Sequence, residues 1–273
     1  MKSAQLLHRV LHTTITVLVT IALLACATVV NAAEEKQDDR WRFTIIPYIW
    51  LPSLSGSMKL TLPAGLESTS TDVSSDLEFG ALLEMELRKG RWFIFSDFMY
   101  LDASADGTTH FPGVLPSSGG WTSETDLDLK TLIFEVVGGY TVFRNEYLNF
   151  DLLAGVRYAG IDGDATLDIV GPLPALVGTR DFSESEAFID PIVGFKGRFE
   201  LGKKWFVPYY FDIGGFSVDS DLTLQAFAGI GYQFCDWFSA VLGYRYLYYD
   251  FGGSKLVEDL NLYGGVLGLV FSF

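Results

Sequence analysis

Along much of the chain, apolar and polar residues alternate with a period of two, the spacing of strands whose two faces meet different surroundings. Between Tyr147 and Gly160 one face reads Leu148, Phe150, Leu152, Ala154, Val156 and Tyr158, and the other Asn149, Asp151, Leu153, Gly155, Arg157 and Ala159. Asp221 to Phe234 repeats the pattern, with Leu222, Leu224, Ala226, Ala228, Ile230, Tyr232 and Phe234 against Thr223, Gln225, Phe227, Gly229, Gly231 and Gln233. At the C-terminus Tyr263, Gly265, Leu267, Leu269, Phe271 and Phe273 oppose Gly264, Val266, Gly268, Val270 and Ser272, and just before them the alternation slips at Asn261 and Leu262.

A soluble sandwich also alternates, so the character of the faces has to decide. Here the charged face also carries the glycines, while the apolar face is large and aromatic. Glycine suits a closely approached surface, and charge suits a wet or mutually paired interior. That is the inverted pattern of a barrel in lipid. Many runs reach about 12 to 16 residues, beyond the ~5 to 6 of globular sheets. After residue 33 no apolar run approaches the roughly 18 residues of a spanning helix.

Short polar turns are predicted at Cys235-Asp236-Trp237, Gly202-Lys203-Lys204, Arg144-Asn145-Glu146 and Arg88-Lys89-Gly90-Arg91. Between them lie connections near Asp102 to Asp126, Gly160 to Glu184, Ser217 to Ser220 and Phe251 to Lys255. Short turns on one side and longer loops on the other is the asymmetry of outer-membrane barrels, with the short side periplasmic. Trp92, Phe143, Tyr147, Trp205, Phe234 and Phe238 flank the short turns, as interfacial rings would. Nine strands are counted from Leu77 to Phe273, and closure with both ends on one side requires an even number. Trp41 to Leu62 is therefore read as one strand bent around Pro52 to Gly56, followed by a Ser/Thr/Asp connection to Asp76. The expectation is an all-β, antiparallel up-and-down transmembrane barrel of ten strands, or twelve if the bend is a hairpin. Pro47 and Pro191 are tolerable only at bulges or rims.

Ahead of the strands, residues 1–32 have the parts of a cleaved secretory signal: Lys2, His8 and Arg9, an apolar stretch from Ile15 to Val30, and the exit Val30-Asn31-Ala32. A retained anchor and lipoprotein processing at Cys26, after Leu23-Leu24-Ala25, are the alternatives. Residues 33–40 form a short tail and 41–273 the barrel. Loss of the leader removes Lys2 and Arg9 and leaves 17 bases against 34 acids, a net charge of −17. His110 is then the one histidine and Cys235 the one cysteine, so no internal disulfide can form. The acidic balance excludes a nucleic-acid binder, and a mean hydropathy of +0.27 excludes a disordered acidic chain.

The run Tyr263-Gly264-Gly265-Val266-Leu267-Gly268-Leu269-Val270-Phe271-Ser272-Phe273 resembles the assembly signal of Gram-negative outer-membrane proteins, carried by Tyr263, Leu267, Leu269, Phe271 and Phe273. Gly243-Tyr244-Arg245-Tyr246-Leu247-Tyr248-Tyr249-Asp250 resembles the penultimate strand of small opacity-type surface barrels. Trp41-Arg42-Phe43, Pro47-Tyr48-Ile49-Trp50-Leu51-Pro52, Ser55-Gly56, Arg88-Lys89-Gly90-Arg91-Trp92, Tyr100-Leu101-Asp102 and Asp190-Pro191-Ile192-Val193-Gly194 are similar to an uncharacterised family of outer-membrane barrels of about this length. The resemblance implies outer-membrane lipid, lipopolysaccharide and the barrel-assembly machinery as partners. It does not supply an activity.

The alternation sends Glu84, Asp97, Glu135, Asp151, Asp190 and Asp212 inward, with Arg157, Lys196, Arg198 and Arg245. Either these groups pair and fill the interior, or they line a slender path for ions and small solutes. Lys130 suggests a register change in the strand of Glu135. Lipase-type barrels use Ser with His, and omptin-type proteases Asp with His. His110 lies in a predicted Gly/Ser-rich loop with nothing placing it near a nucleophile, so no catalytic residue, cofactor or metal centre is assigned. Asp102, Asp106, Glu124, Asp126, Asp162, Asp164, Asp168, Asp181, Glu184 and Glu186 make an acidic rim, a solvated surface or a weak divalent-cation site. The functional expectation is a monomeric structural barrel or narrow passive channel, with a surface-interaction protein as the rival.

Overall fold

Strand lengths set by the alternation carry the chain up and down ten times. The computed structural model describes residues 40–60, 69–111, 121–170, 178–252 and 257–273. The strands are β1 (Trp41–Leu60), β2 (Thr69–Lys89), β3 (Trp92–Phe111), β4 (Trp121–Arg144), β5 (Leu148–Val170), β6 (Gly178–Glu200), β7 (Trp205–Gly215), β8 (Leu222–Cys235), β9 (Phe238–Asp250) and β10 (Val257–Ser272). Each pairs antiparallel with its sequence neighbours, and β1 pairs with β10, so the sheet closes into a barrel. At the closing seam Phe43 N–H donates to Phe273 O at 3.0 Å and Phe273 N–H to Phe43 O at 2.8 Å. The signal peptide and tail expected over 1–39 lie outside the described residues.

The ten-strand reading holds and the hairpin at Pro52 to Gly56 does not form. Through that bend β1 stays in register with β10, from Tyr48↔Gly268 to Ser57↔Asp259. Three expectations need correcting. The Ser/Thr/Asp stretch before Asp76 is strand from Thr69 onward, pairing Leu60↔Thr69 to Leu54↔Ser75. The connections at 102–126 and 160–184 are mostly strand as well: β3 and β4 pair out to Phe111↔Trp121, and β5 and β6 out to Ile169↔Gly178. Polar composition there predicts loop, but a paired ladder satisfies its backbone internally and needs no apolar face. His110 is accordingly a β3 residue opposite Thr122. Finally, Lys130 marks no register change, since pairing runs unbroken from Lys130↔Asp162 to Glu135↔Arg157.

The slip at Asn261 and Leu262 is likewise no break: β10 continues in register from Asp259↔Asp250 to Phe271↔Phe238. Leu262 points inward into an apolar cluster, and Asn261 outward, where Tyr246 Oη donates to its Oδ1 at 2.9 Å. The inside–outside contrast reverses there because the interior itself turns apolar. Pro191 sits where β6 loses its β7 partner, next to the last pair Ile192↔Gly214. Beyond it Asp219 and Asp190 fasten the β7–β8 turn: Ile189 N–H donates to Asp219 Oδ2 at 2.8 Å and Ser220 N–H to Asp190 Oδ1 at 2.9 Å.

The outward face carries a belt. Trp41, Trp92, Tyr147, Trp205 and Trp237 stand exposed beside the short turns, and Tyr100, Tyr158, Tyr244 and Tyr263 mark its other edge. From Leu148 to Tyr158 the chain rises ten steps, about 33 Å at about 3.3 Å each. Tilted by about 40°, that is about 25 Å, the height of the apolar band of transmembrane barrels.

Candidate functional site: the interior charge network

Cross-barrel contacts define which side chains fill the centre, since β9 reaches β3 and β6 reaches β2 only through the interior. Three networks form. In the first, Arg245 of β9 pairs with Asp97 of β3 at 2.6 Å and with Glu84 of β2 at 3.2 Å. Its Nη1 donates to Tyr48 Oη at 2.6 Å, and Tyr48 donates to Asp97 Oδ1 at 2.8 Å. The guanidinium also lies over the Tyr48 and Trp50 rings.

In the second, Arg157 of β5 pairs with Glu135 of β4 at 2.6 Å and with Asp212 of β7. Its Nη1 donates to Thr223 Oγ1 at 3.0 Å, and Tyr210 Oη donates to Glu135 Oε1 at 2.5 Å. Arg157, Glu135 and Asp212 are wholly buried. A planar guanidinium with five donors suits this task, because it satisfies partners on several strands at once.

The third lies toward the short turns. Arg88 pairs with Asp151 at 2.6 Å and Glu86 at 2.8 Å, and donates to Thr141 Oγ1 at 2.7 Å. Lys196 pairs with Glu86 at 2.6 Å while lying 4.0 Å from the Phe95 ring centroid. Arg198 stays with Glu200 of its own strand and stacks on Phe206. Asp190 joins none of the three and holds the β7–β8 turn. The sequence places Arg88 in a turn; the structure puts it inside and buried, two residues beyond Glu86 on the same face.

Tyr48, Glu86, Arg88, Thr141, Tyr210 and Thr223 were not singled out from the sequence. Parity could have found several of them: Glu84, Glu86 and Arg88 are spaced by two, as are Tyr210 and Asp212. Tyr48 gave no such signal, because an aromatic residue in an apolar run also fits the lipid face.

The interior is layered along the axis. Toward the short turns, Thr44, Ile46, Glu84, Glu86, Lys196, Arg198 and Gln233 are partly accessible, an open vestibule. Above it Asp97, Glu135, Arg157 and Asp212 are fully buried. On the long-connection side Trp50, Met99, Ile133, Ile161, Leu247, Tyr249, Phe251 and Leu262 form a closed apolar cluster. Cys235, the last residue of β8, is exposed and free. By register, Asp106 opposes Asp126, Glu124 opposes Asp168 and Asp128 opposes Asp164 on strands that run on past the belt, so the acids read as a loop rim belong to one sheet.

A closed antiparallel barrel with paired charges inside and an apolar belt outside is the fold of transmembrane barrels. No family model matches the chain, and no curated protein matches it in sequence. Among solved structures the chain is similar to the outer membrane protease OmpT of Escherichia coli, at 10% identity over 88% of this chain and 99% of that one, with a TM-score of 0.61. It is also similar to Ail, the attachment invasion locus protein of Yersinia pestis, at 14% identity over 85% and 98%, with a TM-score of 0.33. The likeness to the protease barrel is one of fold.

Proposed function

We propose that the protein is an integral outer-membrane barrel of a Gram-negative bacterium, exported by a signal peptide over residues 1–32, whose role is structural rather than conductive. The observation that carries this is the sealed interior. Asp97, Glu135, Arg157, Asp212 and Gln225 have no exposed surface, so among the described residues the middle of the barrel has no wet lining, which supports a closed interior. The apolar cluster above them adds a second barrier. An open polar path would leave the lining groups wet. The belt of about 25 Å supports the membrane placement, and the short turns and both ends of the barrel on one side support a periplasmic orientation for that side.

A second reading, a surface-interaction protein, is favoured by the projecting sheet. Strands β3 to β6 run about ten residues past the tyrosine edge and carry the acids Asp128, Asp162 and Asp164 outward. Single-channel recording of the refolded protein in a planar bilayer, with a heat-modifiability gel to verify folding, tests the structural reading. Folded protein should give no conductance steps. Reproducible steps altered by Asp151→Asn or Arg245→Gln would replace it with a channel. If steps are absent and deletion of the β3–β4 and β5–β6 tips abolishes binding to lipopolysaccharide, the interaction reading gains the function.

A further inference from the structure

The short-turn rim is basic, although acids outnumber bases 34 to 19 in the sequence. Among the described residues, Arg40, Arg42, Lys89, Arg91, Lys203 and Lys204 are exposed there, against the exposed acids Glu146 and Asp236. Beyond the opposite edge of the belt the sign reverses, with Asp128, Asp162, Asp164, Asp219 and Asp221 exposed. The two ends of the barrel therefore meet different electrostatic surroundings, and the basic end suits anionic groups.

The β2–β3 turn joins this charge to the aromatic belt. Gly90, at φ 59°, opens a two-residue connection that sets Lys89 opposite Trp92. On its other side Lys89 is opposite Trp41, and Trp92 in turn is opposite Tyr140. The register thus lines up Trp41, Lys89, Trp92 and Tyr140 across four strands, with neighbouring Cβ atoms about 5 Å apart. Lys89 Nζ lies 5.4 Å from the Trp41 ring centroid, and the Trp92 and Tyr140 rings meet edge to face at 4.9 Å. Trp41 and Trp92 are 64% and 68% exposed. Arg91 adds an exposed guanidinium next to Trp92, and its carbonyl accepts from Thr141 N–H at 2.8 Å, which ties the turn to β4.

An ammonium set between two indoles, at the height where acyl chains give way to headgroups, matches a phosphate. Indole rings settle at that height and offer an N–H donor, and Lys with Arg supplies charge-assisted bonds to phosphate oxygens. We infer that the β2–β3 turn and Trp41 form a binding site for the headgroup of an anionic glycerophospholipid in the leaflet on the short-turn side. Lys89 and Arg91 hold its phosphate, and Trp41 and Trp92 pack against its glycerol backbone. A zwitterionic headgroup fits less well, because it brings a cation of its own toward two bases. The site rests on the membrane placement proposed above. Across the rim Lys204 lies 5.7 Å from the Tyr232 ring centroid, and Tyr232 meets Trp205 edge to face, a similar arrangement with a single indole.

The test reads the two indoles directly. In a Trp50→Phe, Trp121→Phe, Trp205→Phe, Trp237→Phe background, Trp41 and Trp92 are the tryptophans that remain. The full mature chain is refolded into phosphatidylcholine vesicles holding a minor fraction of either brominated phosphatidylglycerol or brominated phosphatidylcholine, with folding verified by heat modifiability. Phosphatidylglycerol should quench severalfold more at equal mole fraction. Lys89→Gln with Arg91→Gln should remove that excess and keep the quenching by phosphatidylcholine, whereas Lys203→Gln with Lys204→Gln should leave the excess intact. Equal quenching by the two lipids, or loss of the excess with either pair of substitutions alike, would overturn the site and leave the membrane placement standing. No quenching by either lipid would overturn the membrane placement and the site with it. If the background does not fold, native mass spectrometry of the unaltered chain from detergent holding both lipids reads the same preference. Retention of phosphatidylglycerol that Lys89→Gln with Arg91→Gln removes is expected there, and equal retention of the two lipids would overturn the site.

Discussion

Arg157 shows how a single side chain holds four strands. Its guanidinium meets Glu135, Asp212 and Thr223 with no water in reach. Such a group contributes little net stability against an apolar filling of equal volume, yet its removal strands the carboxylates it was facing. Arg157→Met should therefore cost about 3 to 5 kcal/mol. Urea titration of the refolded barrel in detergent would show it as a lowered midpoint, and adding Glu135→Gln with Asp212→Asn should recover part of the loss. If Arg157→Met unfolds at the unaltered midpoint, the buried pairing is energetically idle. Gly139 illustrates the reverse case. It lies directly opposite Phe93, whose ring occupies the place of its side chain, since a Cβ built there would fall 2.1 Å from Phe93 Cζ. Gly231 holds the same relation to Phe206. At these two positions glycine admits a ring from the neighbouring strand. Gly139→Ala should destabilise by about 1 to 3 kcal/mol through overpacking, measured by the same titration.

At the scale of elements, β10 and the projecting strands separate two kinds of legibility. The C-terminal alternation announces β10, and the structure adds that Phe273, just beyond it, extends the closing β1–β10 ladder through two backbone bonds to Phe43. The Phe273 ring itself is 71% exposed. Phe273→Ala should therefore leave the urea midpoint of refolded protein within about 1 kcal/mol, as exposed positions do, while reducing the amount of folded barrel in cells if the ring is read by the assembly machinery. Equal amounts of folded barrel in cells would remove that role. The outer halves of β3 to β6 were not legible, because their acids, threonines and glycines have the composition of loops and only pairing makes them strands. Register there sets Asp128 against Asp164, both exposed. Like charges directly opposite, with Cβ atoms about 5 Å apart, oppose pairing. In 1 M salt the screening length shrinks to about 3 Å, so the projecting hairpins should resist proteolysis better there than in dilute buffer. Unchanged cleavage between 121 and 188 would mean that the repulsion is already relieved.

The whole molecule places its rings by height. Trp41, Trp92, Trp205 and Trp237 all stand at the short-turn rim. In a Trp50→Phe, Trp121→Phe background their emission should be quenched more by lipids brominated near the headgroup than by lipids brominated near the chain end; the opposite order would displace the belt. What the sequence by itself determined is the class of fold and the face on which most strand residues lie. Those are local properties, because a period of two needs only neighbouring residues to be read. Which inward charge meets which was decided by tertiary structure alone: Arg245 and Asp97 lie 148 positions apart, Lys196 and Glu86 lie 110 apart, and closure of the sheet is what brings them within 2.6 Å. The change from ionic to apolar filling along the axis also belongs to that level. It depends on how ten strands stagger around a common interior, which no single strand encodes.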